Sequence, residues 1–152
     1  MSRSGMKLKI AWIGRTKEPA IQSLTTEYLK RISRYAEVEG VELRDEAAVL
    51  SLAVGKSHSK LRQTLILLDP GGKVLSSEEL ADFVQDRMDR AVPVLFAVGS
   101  ADGFSAEVRK AASSRLSLGK MTLPHELARV VLLEQLYRAF TILRGHPYHS
   151  GH

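Results

Sequence analysis

Residues 64–68, TLILL, are the stretch on which the fold turns. A β-branched Thr and four aliphatic residues in succession, without alternation and too few for a helix, predict a strand covered on both faces, as in the centre of a parallel sheet. Punctuation follows. Asp69-Pro70-Gly71-Gly72-Lys73 is turn chemistry, and Ser76-Ser77-Glu78-Glu79 reads as a capping box that opens a helix over 77–88. Residues 93–98 (PVLFAV) repeat the buried-strand signal, and Gly99-Ser100-Ala101-Asp102-Gly103 leaves it as a loop. Upstream, 7–13 (KLKIAWI) alternates and then stays apolar up to Gly14, again a strand. Pro19 suits a helix start, and Ile21, Leu24, Tyr28, Leu29 and Ile32 recur at helical spacing within 20–33. Residues 38–44 make a second strand, and 47–61 a helix interrupted by Gly55. Downstream, Ser105 caps a helix over 106–112, residues 115–118 form a last short strand, and a long helix fills 126–143. Strands alternate with helices five times. That order predicts an α/β fold, a mostly parallel sheet with helices on both faces. Ligands in such sheets sit beyond the carboxyl ends of strands, which nominates the loops after Leu68, Val98 and Leu118.

Composition bounds the rest. A chain of 152 residues with 44% hydrophobic side chains is expected to be one domain over 6–152, preceded by a disordered tail at 1–5. The 26% charged residues and mean hydropathy of −0.10 exclude both a disordered chain and a membrane protein. No run of about 18 apolar residues exists to cross a bilayer. Cysteine is absent, which removes disulfides, thiol catalysis and Cys-ligated metals. The opening MSRSG lacks the apolar stretch of a secretion signal, so a cytoplasmic location is expected. Net charge is +5 with a pI near 9.6, and it is unevenly placed. Residues 77–103 hold two basic and six acidic side chains, whereas 104–152 hold seven basic and three acidic. A basic end of this kind can hold a polyanion by releasing its counterions.

The candidate chemistry is mostly late in the chain. Gly99 and Gly103 are not followed by the Gly-Lys-Ser/Thr of a P-loop, and no strand leads into G-x-G-x-x-G, so no phosphate cradle is present. The two glycines otherwise serve a tight strand-to-helix turn. His125, His146, His149 and His152 fall in the last 28 positions. With no acidic residue in the tail, proton transfer or phosphate contact suits them better than a metal. Thr122-Leu123-Pro124-His125-Glu126 reads as a helix entrance, which places His125 either as a general base or as plain surface. The final helix is apolar nearly all round, so it runs through the domain or packs on a second copy, and a dimer is the expectation. Arg129 and Arg138 interrupt that surface and call for anionic partners; Glu134 can serve Arg138 at i,i+4. No nucleophile elbow or triad pattern accompanies the serines.

Residues 116–149, LSLGKMTLPHELARVVLLEQLYRAFTILRGHPYH, resemble the ending of the RlmH family, the 23S rRNA pseudouridine N3-methyltransferases of the SPOUT class. MKLKIAWIGRTK (6–17), EYLKRI (27–32), ILLDPGGKVLSSEELA (66–81) and FAVGSADGFS (96–105) resemble the same family in the same order. The resemblance implies an α/β fold whose C-terminal part forms a deep trefoil knot, assembled as a homodimer. It implies S-adenosyl-L-methionine (SAM) as methyl donor and N3 of a pseudouridine in 23S rRNA as acceptor, with the assembled ribosome as expected substrate and neither metal nor membrane as partner. Family positions that contact SAM fall on Leu68, Gly99, Leu118, Gly119, Lys120, Met121, Thr122 and Leu123, in the three loops already nominated. A nucleoside sulfonium has no phosphates, consistent with the missing cradle. Positions around the substrate fall on His125, Arg138, Tyr148 and His149. The roles implied are proton acceptor for His125 or His149, stacking or orienting for Tyr148, and phosphate or carbonyl anchor for Arg138. Two departures stand out: Ser100 and Asp102 replace the family's usual Gly and Glu, and the segment between Leu43 and Thr64 is about a dozen residues shorter than the family pattern. The competing readings are a non-catalytic RNA-binding or ribosome-associated dimer of the same fold, and a SPOUT enzyme acting on tRNA.

Overall fold

The structure, a computed structural model, describes residues 6–55 and 63–145. Its elements are β1 (Lys7–Ile13), α1 (Pro19–Ile32), β2 (Glu37–Leu43), α2 (Glu46–Val54), β3 (Thr64–Val74), α3 (Ser77–Arg90), β4 (Val94–Val98), α4 (Ala106–Ala111), β5 (Ser114–Ser117) and α5 (His125–Leu143). The strands form one sheet in the order β2-β1-β4-β3-β5, and all four neighbouring pairs are parallel. Alternation of side chains along the strands decides which layer each residue joins. Leu8, Ile10, Trp12, Ile66, Val94, Phe96 and Val98 face α1, α3 and α5. Ala11, Leu65, Leu67, Leu95 and Ala97 face α2 and α4. Both faces of the LILL (65–68) and VLFAV (94–98) stretches are therefore covered, which is why they carry no polar residue.

Local signals act where they were read. Ser76 Oγ accepts from the Glu79 N–H at 3.0 Å while Glu79 Oε1 accepts from the Ser76 N–H at 2.8 Å, closing the capping box of α3. Helix α2 ends at Val54, where Gly55 takes φ +58° and terminates it; the remainder of the helix expected over 47–61 lies outside the described residues. The turn expected at 69–73 is instead a bulge within a longer strand. Leu68 and Lys73 both pair with Leu116, so Asp69–Gly72 are looped out of the β3–β5 ladder and β3 resumes to Val74.

Helix α5 lies between α1 and α3 and rests on β4. Leu132, Leu133, Leu136, Ala139 and Phe140 are buried there, and Tyr35 stacks on Phe140 at 5.7 Å between ring centroids. Most of its apolar circumference is covered within one chain, while Leu127 on its first turn stays 41% exposed. Among the described residues no helix is long and apolar enough to cross a membrane. The expected tail at 1–5 lies outside the described residues.

Candidate active site

Register brings three strand ends to one level. Leu67 pairs with Ala97 and Leu68 with Leu116, so the chain leaves β3, β4 and β5 side by side. From β3 it departs to β4 on one flank and, later, to β5 on the other, and such a divergence opens a crevice. A cavity of about 180 Å³ occupies it. Leu68, Asp69 and Pro70 line it from β3; Val98, Gly99, Ser100, Ala101 and Gly103 from the end of β4; Leu116, Ser117, Leu118, Gly119, Met121, Thr122 and Leu123 from β5 onward; His125 and Ala128 from α5.

The walls are shaped by backbone. Gly103 N–H donates to the Ser100 carbonyl at 2.9 Å with φ +73° at Gly103, folding 99–103 into a tight turn. A Cβ on Gly99 would stand 3.2 Å from the Phe104 ring and 3.3 Å from Gly103 carbonyl carbon, so this crossing is as close as glycine allows. Ser117 Oγ donates to the Gly119 carbonyl at 2.9 Å and accepts from its N–H at 3.2 Å, and Gly119 sits at φ +136°. This clasp turns the chain across the mouth and leaves Met121 86% exposed, a large apolar side chain with nothing over it. An apolar cleft with turned backbone at its edges fits a flat nucleoside base, gripped by N–H and C=O groups and covered by aliphatic side chains.

Asp69 holds the outer wall together. Its Oδ2 lies 3.0 Å from Arg115 Nη1 and 3.8 Å from Arg109 Nη1, and Oδ1 accepts the Gly71 N–H at 2.9 Å. Burial pushes the carboxyl up, but the Gly71 N–H and the two guanidiniums outweigh it and hold Asp69 below the usual carboxylate range.

On the opposite flank the first turn of α5 is tied to the β1–α1 loop. Glu126 accepts the Lys17 N–H at 3.1 Å and the Glu18 N–H at 3.2 Å, fixing the two residues that lead into α1 from a distant element. The Lys17 N–H chiefly, opposed by burial and aided by Glu18 N–H and Arg129, keeps Glu126 below its ordinary value. Arg129 is 2% exposed, stacks over Trp12 at 4.2 Å from the ring centroid, and donates to Thr16 Oγ1 at 2.9 Å and Thr25 Oγ1 at 3.3 Å. Burial pulls its pKa down, with Glu126 and Glu42 opposing. Arg129, expected to need an anion, instead finds two hydroxyls through Nη1, an indole face and nearby carboxylates, while its buried Nε has no hydrogen-bond partner.

Of the positions nominated from sequence, Leu68, Gly99, Leu118, Gly119, Met121, Thr122, Leu123 and His125 meet around this one cavity. Lys120 does not line it. Nor does Arg138, which pairs with Glu134 Oε2 at 2.8 Å and lies roughly 20 Å along α5 from His125, at 1.5 Å per residue. Tyr148 and His149 lie outside the described residues. Asp69, Pro70, Ser100 and Ala101 also line the cavity and fall in the loops nominated after Leu68 and Val98, though the sequence reading named none of them as a contact; Ser117, the last residue of β5, lies before the third loop and was missed. Among the described residues no group of three or more His, Asp or Glu could hold a metal ion.

A family model described as Predicted SPOUT methyltransferase matches residues 6–149. The Ribosomal RNA large subunit methyltransferase H of Koribacter versatilis is 55% identical over 148 residues, covering 97% of this chain and 100% of that protein. Its namesake from Gloeobacter violaceus is 45% identical over 153 residues, with 96% and 100% covered. Among solved structures, the SpoU methyltransferase AviRb of Streptomyces viridochromogenes, crystallised with AdoMet, aligns with a TM-score of 0.55 at 14% identity, over 91% of this chain and 59% of that one. The tRNA (m1G37) methyltransferase of Aquifex aeolicus aligns with a TM-score of 0.57 at 16% identity, over 96% and 73%. These two likenesses show a shared fold. With a strand-end cleft of the right chemistry, a family match over nearly the whole chain and a relative 55% identical from end to end, the chain belongs to the SPOUT methyltransferases, in the ribosomal RNA large subunit methyltransferase H (RlmH) family.

Proposed function

We propose that this SAM-dependent RNA methyltransferase acts on N3 of a pseudouridine in 23S rRNA, as a cytoplasmic homodimer whose substrate is the assembled ribosome, and that the backbone crossings around β3, β4 and β5 form its trefoil knot. The observation that carries the reading is the cavity, where Leu68, Gly99, Gly119, Met121 and Leu123 converge beside His125. SAM supplies an electrophilic methyl on a sulfonium, and that is all the donor need do. Leu68, Met121 and Leu123 exclude water from the donor, while the turned backbone at Gly99 and Gly119 orients it. The N3–CH₃ bond forms as the S–CH₃ bond breaks, and the N3 proton passes to an imidazole, His125 or His149. Of the two, His125 lines the cavity.

Titration with S-adenosylhomocysteine, paired with a methyl-transfer assay on large subunits and on 70S ribosomes, tests the reading. Saturable binding and transfer to N3 of a pseudouridine are expected. Absence of saturable binding would leave only an RNA-binding module of this fold, and transfer to tRNA alone would change the substrate.

A further inference from the structure

We propose that the β1–α1 loop is a phosphate clamp for the RNA strand presented to the cavity, with Arg15 and Lys17 as its two cationic contacts. The inference rests on the RNA methyltransferase reading and adds where the RNA is held. Strand register places the loop. Trp12 pairs with Val98, so Gly14 and Ser100 leave neighbouring parallel strands at the same height, about 5 Å apart. Ser100 lines the cavity. The Gly14 N–H still donates to the Leu43 carbonyl at 2.9 Å, and Gly14 turns the chain at φ +95°.

Three residues later the loop is fastened to the other side of the same cavity. Glu126 takes the Lys17 and Glu18 N–H groups, and its chain neighbour His125 lines the cavity. Thr16 is held by Arg129, itself buried against Trp12. Residues 14–18 thus run from the end of β1, beside β4, to the first turn of α5 next to the cavity-lining His125, held by hydrogen bonds at both ends.

The loop is fixed through backbone groups and Thr16, which leaves its long side chains uncommitted. Arg15 and Lys17 are exposed, and neither makes an ion pair with a described residue. Glu18 adds one opposing carboxylate at the start of α1. On the far wall the cations are spent: Arg109 and Arg115 both face Asp69. Two free cations on a rigid rim beside the acceptor site fit backbone phosphates, which position a strand without reading its bases.

The experiment compares wild type, the Arg15→Ala/Lys17→Ala double variant and the Arg15→Lys/Lys17→Arg charge-conserving variant. Binding to deproteinised 23S rRNA is measured across a salt series, beside S-adenosylhomocysteine affinity, melting temperature and methyl transfer. The alanine variant should lower the slope of log K against log salt by roughly 1.5, about 0.7–0.9 per lost phosphate contact, with donor affinity and melting unchanged. The charge-conserving variant should retain the slope. An unchanged slope in the alanine variant, or a defect seen on ribosomes but not on deproteinised RNA, which would mark a ribosomal protein as the contact, overturns the proposal. If wild type binds RNA but neither binds donor nor transfers methyl, the enzymatic reading fails and the clamp is judged on the slope alone.

Discussion

Glu126 on the first turn of α5 accepts the backbone N–H of Lys17, 109 residues earlier, at 3.1 Å. One carboxylate therefore ties the loop leading into α1 to the helix that begins at His125. Because its pKa is held below the ordinary 4.5, its contribution to stability is fully present above that value and is lost as pH falls through the lowered one. Melting temperatures recorded from about pH 7 down to about pH 3 should show a shallower acid limb for Glu126→Gln than for wild type. At neutral pH the variant should melt a few degrees lower. Coincident limbs would show that the tie contributes nothing.

Gly72 is predicted to be irreplaceable for a steric reason. A Cβ there would lie 2.6 Å from the Arg115 carbonyl carbon and 2.8 Å from its oxygen and from the Leu116 nitrogen. These are backbone atoms of β5, so relief requires shifting the strand that carries Leu116 and Ser117 to the cavity. Gly72→Ala should cost about 1–3 kcal/mol or more in denaturant unfolding, and should weaken donor binding as well. The nearby Gly71, whose Cβ would come no closer than 3.4 Å to the Arg115 side chain, should accept alanine with a smaller loss.

Met121 should behave in the opposite way. At 86% exposure it adds almost nothing to folding, so Met121→Ala should leave the unfolding midpoint where it is. If the side chain covers the donor, the same change should weaken S-adenosylhomocysteine binding about ten-fold, the equivalent of burying part of a methionine. Calorimetry showing equal affinity would remove Met121 from the donor site.

His125 is predicted to act on the proton rather than on donor binding. His125→Gln should lower kcat by about 10²-fold or more while donor affinity changes less than about three-fold. A KM effect with kcat intact would make His125 a binding residue and shift the acceptor role to the tail.

Arg129→Ala should be among the most destabilising single changes. It removes a fully buried side chain, its stacking on Trp12 and its bonds to Thr16 and Thr25. A loss of about 3 kcal/mol or more is expected from the cavity and contacts together. Urea unfolding within about 0.5 kcal/mol of wild type would contradict it.

Sequence alone determined what is written within a few residues of itself. Past Thr64, LILL (65–68), like PVLFAV (93–98), carries no polar side chain because both its faces are covered. The Ser76–Glu79 box closes across three residues, as does the Ser105 cap on Val108 N–H at 3.3 Å. Cavity positions next to strand ends were legible for the same reason, since alternation of strand and helix places every such loop on one side of a parallel sheet. Tertiary structure decided what depends on partners far along the chain. The 69–72 segment could be read as a turn from its own residues, but whether the strand resumes beyond it is settled by pairing with Leu116. Glu126 and Lys17 could not be joined from spacing. Strand order, register and long-range ties are chosen by burial of shared surface and by pairing of buried polar groups, and no local pattern encodes them.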